Sequence, residues 1–183
     1  MYTTTFYESH IPVLEYVDNY VDIPTFLECC KACPNYGRLW SCPPYDFDVE
    51  AYWKQFKNFK IMATKIVFEK PVVHETYSKE ALEAIMNTSI TVEKQKLSDI
   101  LMEEEKKYPG SVSLCAGCCS LCQGQCTRPE GAPCRYPEQI RYSIESLGGN
   151  VGLTINRLLK LDLEWIEEGR LPNYFILVSG LLY

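Results

Sequence analysis

Ten cysteines in two clusters constrain this 183-residue chain more than any other feature. The first cluster holds Cys29, Cys30, Cys33 and Cys42, and the second holds Cys115, Cys118, Cys119, Cys122, Cys126 and Cys134. Residues 115–134 read C-A-G-C-C-S-L-C-Q-G-Q-C-T-R-P-E-G-A-P-C, small and turn-forming side chains with almost nothing to build a core. Cysteine chemistry must therefore fix the shape of that segment. Thiols at this density are either oxidised in pairs or bound to metal, and the compartment decides between the two.

The opening residues M-Y-T-T-T-F-Y-E carry neither a positive n-region nor an apolar h-region, which predicts no export signal. The longest apolar run, residues 174–183, is about half the length a membrane span needs. Together these predict a cytoplasmic protein without membrane contact, where structural disulfides do not persist. A net charge of −6 with no basic block argues against nucleic acid as a partner. The proportions of apolar residues (46%) and charged residues (23%) predict a soluble domain with a real core. We expect one α+β domain over residues 1–183, with a metal-binding loop at 29–45 and a cysteine-rich lobe at 113–137.

In chain order, residues 11–17 alternate weakly and predict a short strand, with Pro12 placing it at a sheet edge. Asp22 is the expected cap of a helix over 25–30, with Pro24 in its first turn. Pro34, Gly37, Pro43 and Pro44 exclude regular structure from 30–45 and predict an ordered loop in which Tyr36, Trp40 and Tyr45 pack or shield thiols. A helix is predicted over 48–57. A buried β-branched strand follows at 61–68. From Ser78, apolar residues at three-and-four spacing predict a long helix to Lys107, stopped by Pro109-Gly110, with 88–92 as its point of weakness. Further helices are expected over 137–147, 151–161 and 164–168, closed by Gly148-Gly149 and Gly169. Residues 174–183 read as a second strand beside 61–68.

Soft thiolates select zinc, copper(I) or iron–sulfur clusters. Two intervening residues let paired sulfurs turn toward one centre, and Cys30/Cys33, Cys115/Cys118 and Cys119/Cys122 all have this spacing. Three such pairs point strongly to metal. Structural zinc uses two knuckles a short module apart, and Cys115-x-x-Cys118 lacks a clean partner at that distance. Cys119, Cys122 and Cys126 with a remote Cys134 instead match the three-close-plus-one-remote arrangement of [4Fe-4S] sites, with one more residue before Cys126 than in ferredoxins. Zinc is the alternative. Cys30, Cys33 and Cys42 supply three ligands, and Cys29, Cys115 or Cys118 could complete the set. Arg128, Arg135 and Arg141 are cations placed to offset thiolate charge.

Disulfide exchange competes with metal binding, but it wants a low-pKa cysteine at a helix N-terminus. Cys30 and Cys33 fall at an expected C-terminus, where the helix dipole disfavours a thiolate. His10 and His74 are far from both clusters and read as surface residues. Glu145 is the one acid near the lobe able to carry a proton, although a helix-surface position is the expected one. No hydrolase, zinc-protease or phosphate-loop motif is present, so no catalytic residue is assigned.

The stretches C-P-N-Y-G-R-L-W-S-C-P-P at 33–44, A-G-C-C-S-L-C at 116–122, P-C-R-Y-P-E at 133–138 and S-I-E-S-L-G-G-N-V at 143–151 resemble an uncharacterised prokaryotic family of cysteine-rich, predicted metal-binding proteins. The resemblance spans nearly the whole chain. It implies metal binding but no reaction. In its pattern the later ligands are Cys119, Cys122, Cys126 and Cys134, the earlier ones are Cys30, Cys33 and Cys42, and Cys29, Cys115 and Cys118 are additions. The expected function is electron transfer or redox support through a [4Fe-4S] cluster, with a redox partner protein. A zinc-stabilised interaction module is the alternative.

Overall fold

The structure is a computed structural model that describes residues 2–123 and 125–183. It is α+β. An antiparallel four-stranded sheet in the order β1-β2-β4-β3 is built from β1 (Tyr2–Pro12), β2 (Asn58–Phe68), β3 (Val112–Leu114) and β4 (Tyr174–Leu182). Among the described residues six α-helices accompany it: α1 (Val13–Tyr20), α2 (Ile23–Lys31), α3 (Val49–Trp53), α4 (Lys70–Val73), α5 (Lys79–Lys107) and α6 (Val151–Thr154).

The strand β2 is apolar on both faces because both are covered. Phe59, Ile61 and Ala63 enter the main core with Val13, Tyr16, Trp53, Leu147 and Ile155, while Met62 on the opposite face meets Leu97 and Leu101 of α5. Pairing of 61–68 with the C-terminal strand is as expected, with Ile61 opposite Gly180. That glycine is required: a Cβ there would stand 2.3 Å from Cε2 of Phe59 and 2.6 Å from the Lys60 carbonyl. The edge strand β1 is mostly exposed and ends at Pro12, which cannot extend a ladder.

Three helix starts follow from side-chain caps. Asp22 accepts from the Thr25 amide at 3.1 Å, Asp48 from Ala51 at 2.8 Å and Ser78 from Ala81 at 3.3 Å. The 29-residue α5 spans about 44 Å at 1.5 Å per residue and buries Ser89, Glu93, Leu97 and Leu101, a stripe of every fourth residue. It does not break at 88–92, where the Thr88 and Ser89 hydroxyls bond back to carbonyls one turn earlier. Among the described residues no helix is long and apolar enough to cross a membrane.

Several expectations are corrected. The strand predicted at 11–17 lies earlier, because Val13 to Val17 open α1 and turn Val13, Tyr16 and Val17 into the core. The helix expected over 48–57 is only the five residues of α3. The helix expected over 137–147 is absent apart from one 3-10 turn at Glu145–Leu147. Tertiary bonds win there: the Cys115 amide donates to the Tyr142 carbonyl at 2.8 Å, and the Tyr142 ring packs among Tyr45, Phe47 and Tyr52. The helix over 151–161 shortens to α6 and a π-helical turn at Ile155–Leu159. Residues 164–168 form no helix and lead into a tight Glu167–Arg170 turn.

Candidate metal centre

Cys29 and Cys30 lie in the last turn of α2, and the other cysteines sit on irregular backbone held by long-range bonds. After α2 the Cys33 amide donates to the Cys30 carbonyl at 3.0 Å, and Tyr36 to Cys33 at 3.1 Å. Gly37, at φ +67°, donates to the Pro43 carbonyl at 2.8 Å and closes the loop, while Cys42 donates to Leu39 at 3.1 Å. The downstream lobe clamps this loop. Trp40 Nε1 reaches Thr127 Oγ1 at 3.3 Å and the Ala132 carbonyl at 3.2 Å, and the Cys119 amide donates to Ser41 Oγ at 3.2 Å. Arg128 donates to the carbonyls of Leu39 (2.7 Å), Cys42 and Pro44 while its guanidinium lies 5.1 Å from the Trp40 ring centroid.

All ten cysteines are free thiols. Cys119, Cys122, Cys126 and Cys134 line one cavity of about 30 Å³, walled by Leu39, Trp40, Leu121, Tyr136 and Ile140. Backbone amides point at two of these sulfurs, Tyr136 at Cys134 (3.4 Å) and Leu121 at Cys119. Burial raises the Cys119 thiol and the other three thiols add to it as like charges, while the Leu121 amide opposes. Upstream, burial pushes the Cys42 thiol up to about 11; the Ser41 hydroxyl opposes, and Cys118, Cys33 and Cys30 add like charge. Cys118 does not line the downstream cavity; it borders a second cavity against α5 with Cys115 and Cys119. Among the described residues, no three His, Cys, Asp or Glu side chains are drawn together closely enough to ligate a single metal ion.

The remaining two cysteines have other surroundings. Cys29 is exposed on α2. Cys115 Sγ has the carbonyls of Gly117 (2.9 Å) and Arg141 (3.3 Å) as alternative acceptors for its one S–H, and burial pushes the thiol up to about 12. It is a protonated packing residue.

The three arginines serve the scaffold instead of the sulfurs. Arg128 grips carbonyls, Arg135 donates to the Gln125 carbonyl at 2.6 Å, and Arg141 forms a two-pronged pair with Glu105, each contact 2.7 Å. Lys94 from α5 donates to the Cys118 carbonyl at 3.0 Å and borders a larger cavity of about 260 Å³ that runs between α5 and Cys118 and Cys119. Glu145 is not a helix-surface residue: its Oε2 is buried without a hydrogen-bond partner, and burial raises its carboxyl. His10 and His74 are exposed, as expected.

Burial alone would raise Glu105, but the Arg141 fork and the Ser113 amide more than offset it and hold the carboxyl below its usual range. A depressed folded value stabilises above the unfolded carboxylate value of about 4.3, and this contribution is lost as pH falls through the folded value. Glu105→Gln is expected to cost about 2 kcal/mol at neutral pH. Urea unfolding across pH should show that difference shrinking toward zero in acid.

Two interlocked cysteine-rich loops on an α+β scaffold are the arrangement expected of a metal-binding protein. A family model described as Predicted metal-binding protein (DUF2284) matches residues 17–183, and the chain belongs to that family. No curated protein and no solved structure matches it. Spacing alone pointed to the thiols. Ser41, Lys94 and the interlocking role of Arg128 had no local signal, since each acts on residues distant in the chain.

Proposed function

We propose that Cys119, Cys122, Cys126 and Cys134 hold a [4Fe-4S] cluster and that the protein transfers electrons, or supports a redox enzyme, through a partner protein. The observation that carries this reading is the shared cavity: four thiols face it, and five apolar or aromatic residues wall it. Three thiols close in sequence and one remote, gathered along one apolar-walled cavity, favour a cluster over the paired knuckles of a structural zinc site. Amides aimed at sulfur are the kind of donor that tunes cluster potential.

Such a cluster supplies one-electron chemistry when bound. The chain's own residues hold the thiolates, donate N–H groups to sulfur and exclude water with Trp40 and Ile140. Leu121 and Tyr136, each 41% exposed, form an apolar rim at the cavity where a redox partner would dock. Anaerobically isolated protein should be brown, with a charge-transfer absorption that bleaches on dithionite addition. Colourless, folded protein carrying stoichiometric zinc would instead establish the structural module.

A further inference from the structure

We propose that Cys30, Cys33, Cys42 and Cys118 form a second four-thiolate site that holds a second [4Fe-4S] cluster, so that the two cysteine runs are crossed. This rests on the reading of the downstream site as iron–sulfur. It adds a fourth ligand taken from the other run.

Three features bring this quartet together. The Cys33-to-Cys30 turn keeps that pair on one bend of chain, and the Cys42-to-Leu39 turn, gripped by Arg128 at both carbonyls, folds Cys42 back beside it. The peptide joining Cys118 to Cys119 is pinned at both ends, with the Cys118 carbonyl taken by Lys94 at 3.0 Å and the Cys119 amide by Ser41 at 3.2 Å. Ser41 adjoins Cys42, so this clamp lays the peptide against the upstream loop. Cys119 then lines the downstream cavity, whereas Cys118 does not, and the clamp through Ser41 sets the Cys118 peptide beside Cys42.

The rival fourth ligands fit less well. Cys115 Sγ is already set between two backbone carbonyls, either of which takes its one S–H. Cys29 precedes Cys30 on α2, and adjacent helical side chains do not share a face. Consecutive residues serving different clusters have Cα atoms only about 3.8 Å apart, which places the clusters near enough for their spins to interact. Exchange of a ligand between the two runs is also how two-cluster ferredoxins are built. Lys94 brings a positive charge to the junction, where two sets of thiolates would otherwise repel.

The test compares anaerobically reconstituted wild type with C29S, C115S, C118S and C33S. Wild type, C29S and C115S should each bind about eight iron per chain, and C118S and C33S about four. Electron paramagnetic resonance of the dithionite-reduced protein should show an interacting pair of spins in wild type and one isolated signal in C118S. Four iron in wild type, retained by C118S and lost in C122S, would overturn the second site and leave the first standing. Absence of iron from wild type would sink both. Halving by C29S in place of C118S would assign the fourth ligand to Cys29 and refute the crossing. Should C118S fail to fold, C33S decides, because eight iron retained without that exposed thiol contradicts the site.

Discussion

Cys122→Ser is expected to empty the downstream site and unfold residues 115–137 locally while the sheet stays intact. Between 115 and 137 the only buried residue among those described is Thr127, so this segment has no core of its own. Its order must come from ligation and from the clamp on the upstream loop. Where a segment is shaped by ligation, metal-binding free energy is folding free energy, about 10–16 kcal/mol in small zinc modules. Serine offers a hard, protonated oxygen in place of a soft thiolate. The core around Tyr16, Trp53, Phe59 and Leu182 contains no residue of 115–137. Hydrogen exchange should show protection lost across 115–137 and retained in β2 and β4. Protection and metal content equal to wild type would remove Cys122 from the ligand set.

Arg128→Ala should be the most damaging change outside the cysteines. One guanidinium satisfies the carbonyls of Leu39, Cys42 and Pro44 and stacks on Trp40, so its loss leaves two half-buried acceptors and one exposed one without their donor and frees the loop from the lobe. Hydrogen bonds from a charged donor are each worth about 1.5–3 kcal/mol and are not additive here; about 3 kcal/mol in total is expected. For a chain of this length that lowers Tm by about 6–12 °C. Arg128→Lys should recover only part of it, because an ammonium cannot reproduce the planar fork. Thermal unfolding of the metal-loaded variants checks both, and an Arg128→Ala protein as stable as wild type would show that the clamp holds nothing.

The two central strands were legible because β2 and β4 declare themselves locally: a run rich in apolar, β-branched and aromatic residues in each needs cover on both faces. Asp22, Asp48 and Ser78 announced helix starts for the same reason, since a cap acts within three residues. The sequence misled where distant contacts decide. Residues 137–147 have helical periodicity and a proline at the right place, yet the bond from Cys115 to Tyr142 and the aromatic cluster around Tyr142 hold 140–143 out of a helix, with turns on either side. Strand β1 escaped notice because its Thr3-Thr4-Thr5 stretch is an exposed edge without hydrophobic alternation. At the site, the grouping of Cys119, Cys122, Cys126 and Cys134 could be read from spacing, as could that of Cys30, Cys33 and Cys42. The placement of Cys118 could not. It depends on Lys94 and Ser41, which meet it only in the folded chain.

Iron and acid-labile sulfide, measured per chain on protein purified and kept under anaerobic conditions, test the central claim most directly. The account predicts iron and sulfide in equal amounts, about four of each for every cluster held. Stoichiometric zinc with no sulfide in a folded, stable protein would contradict it.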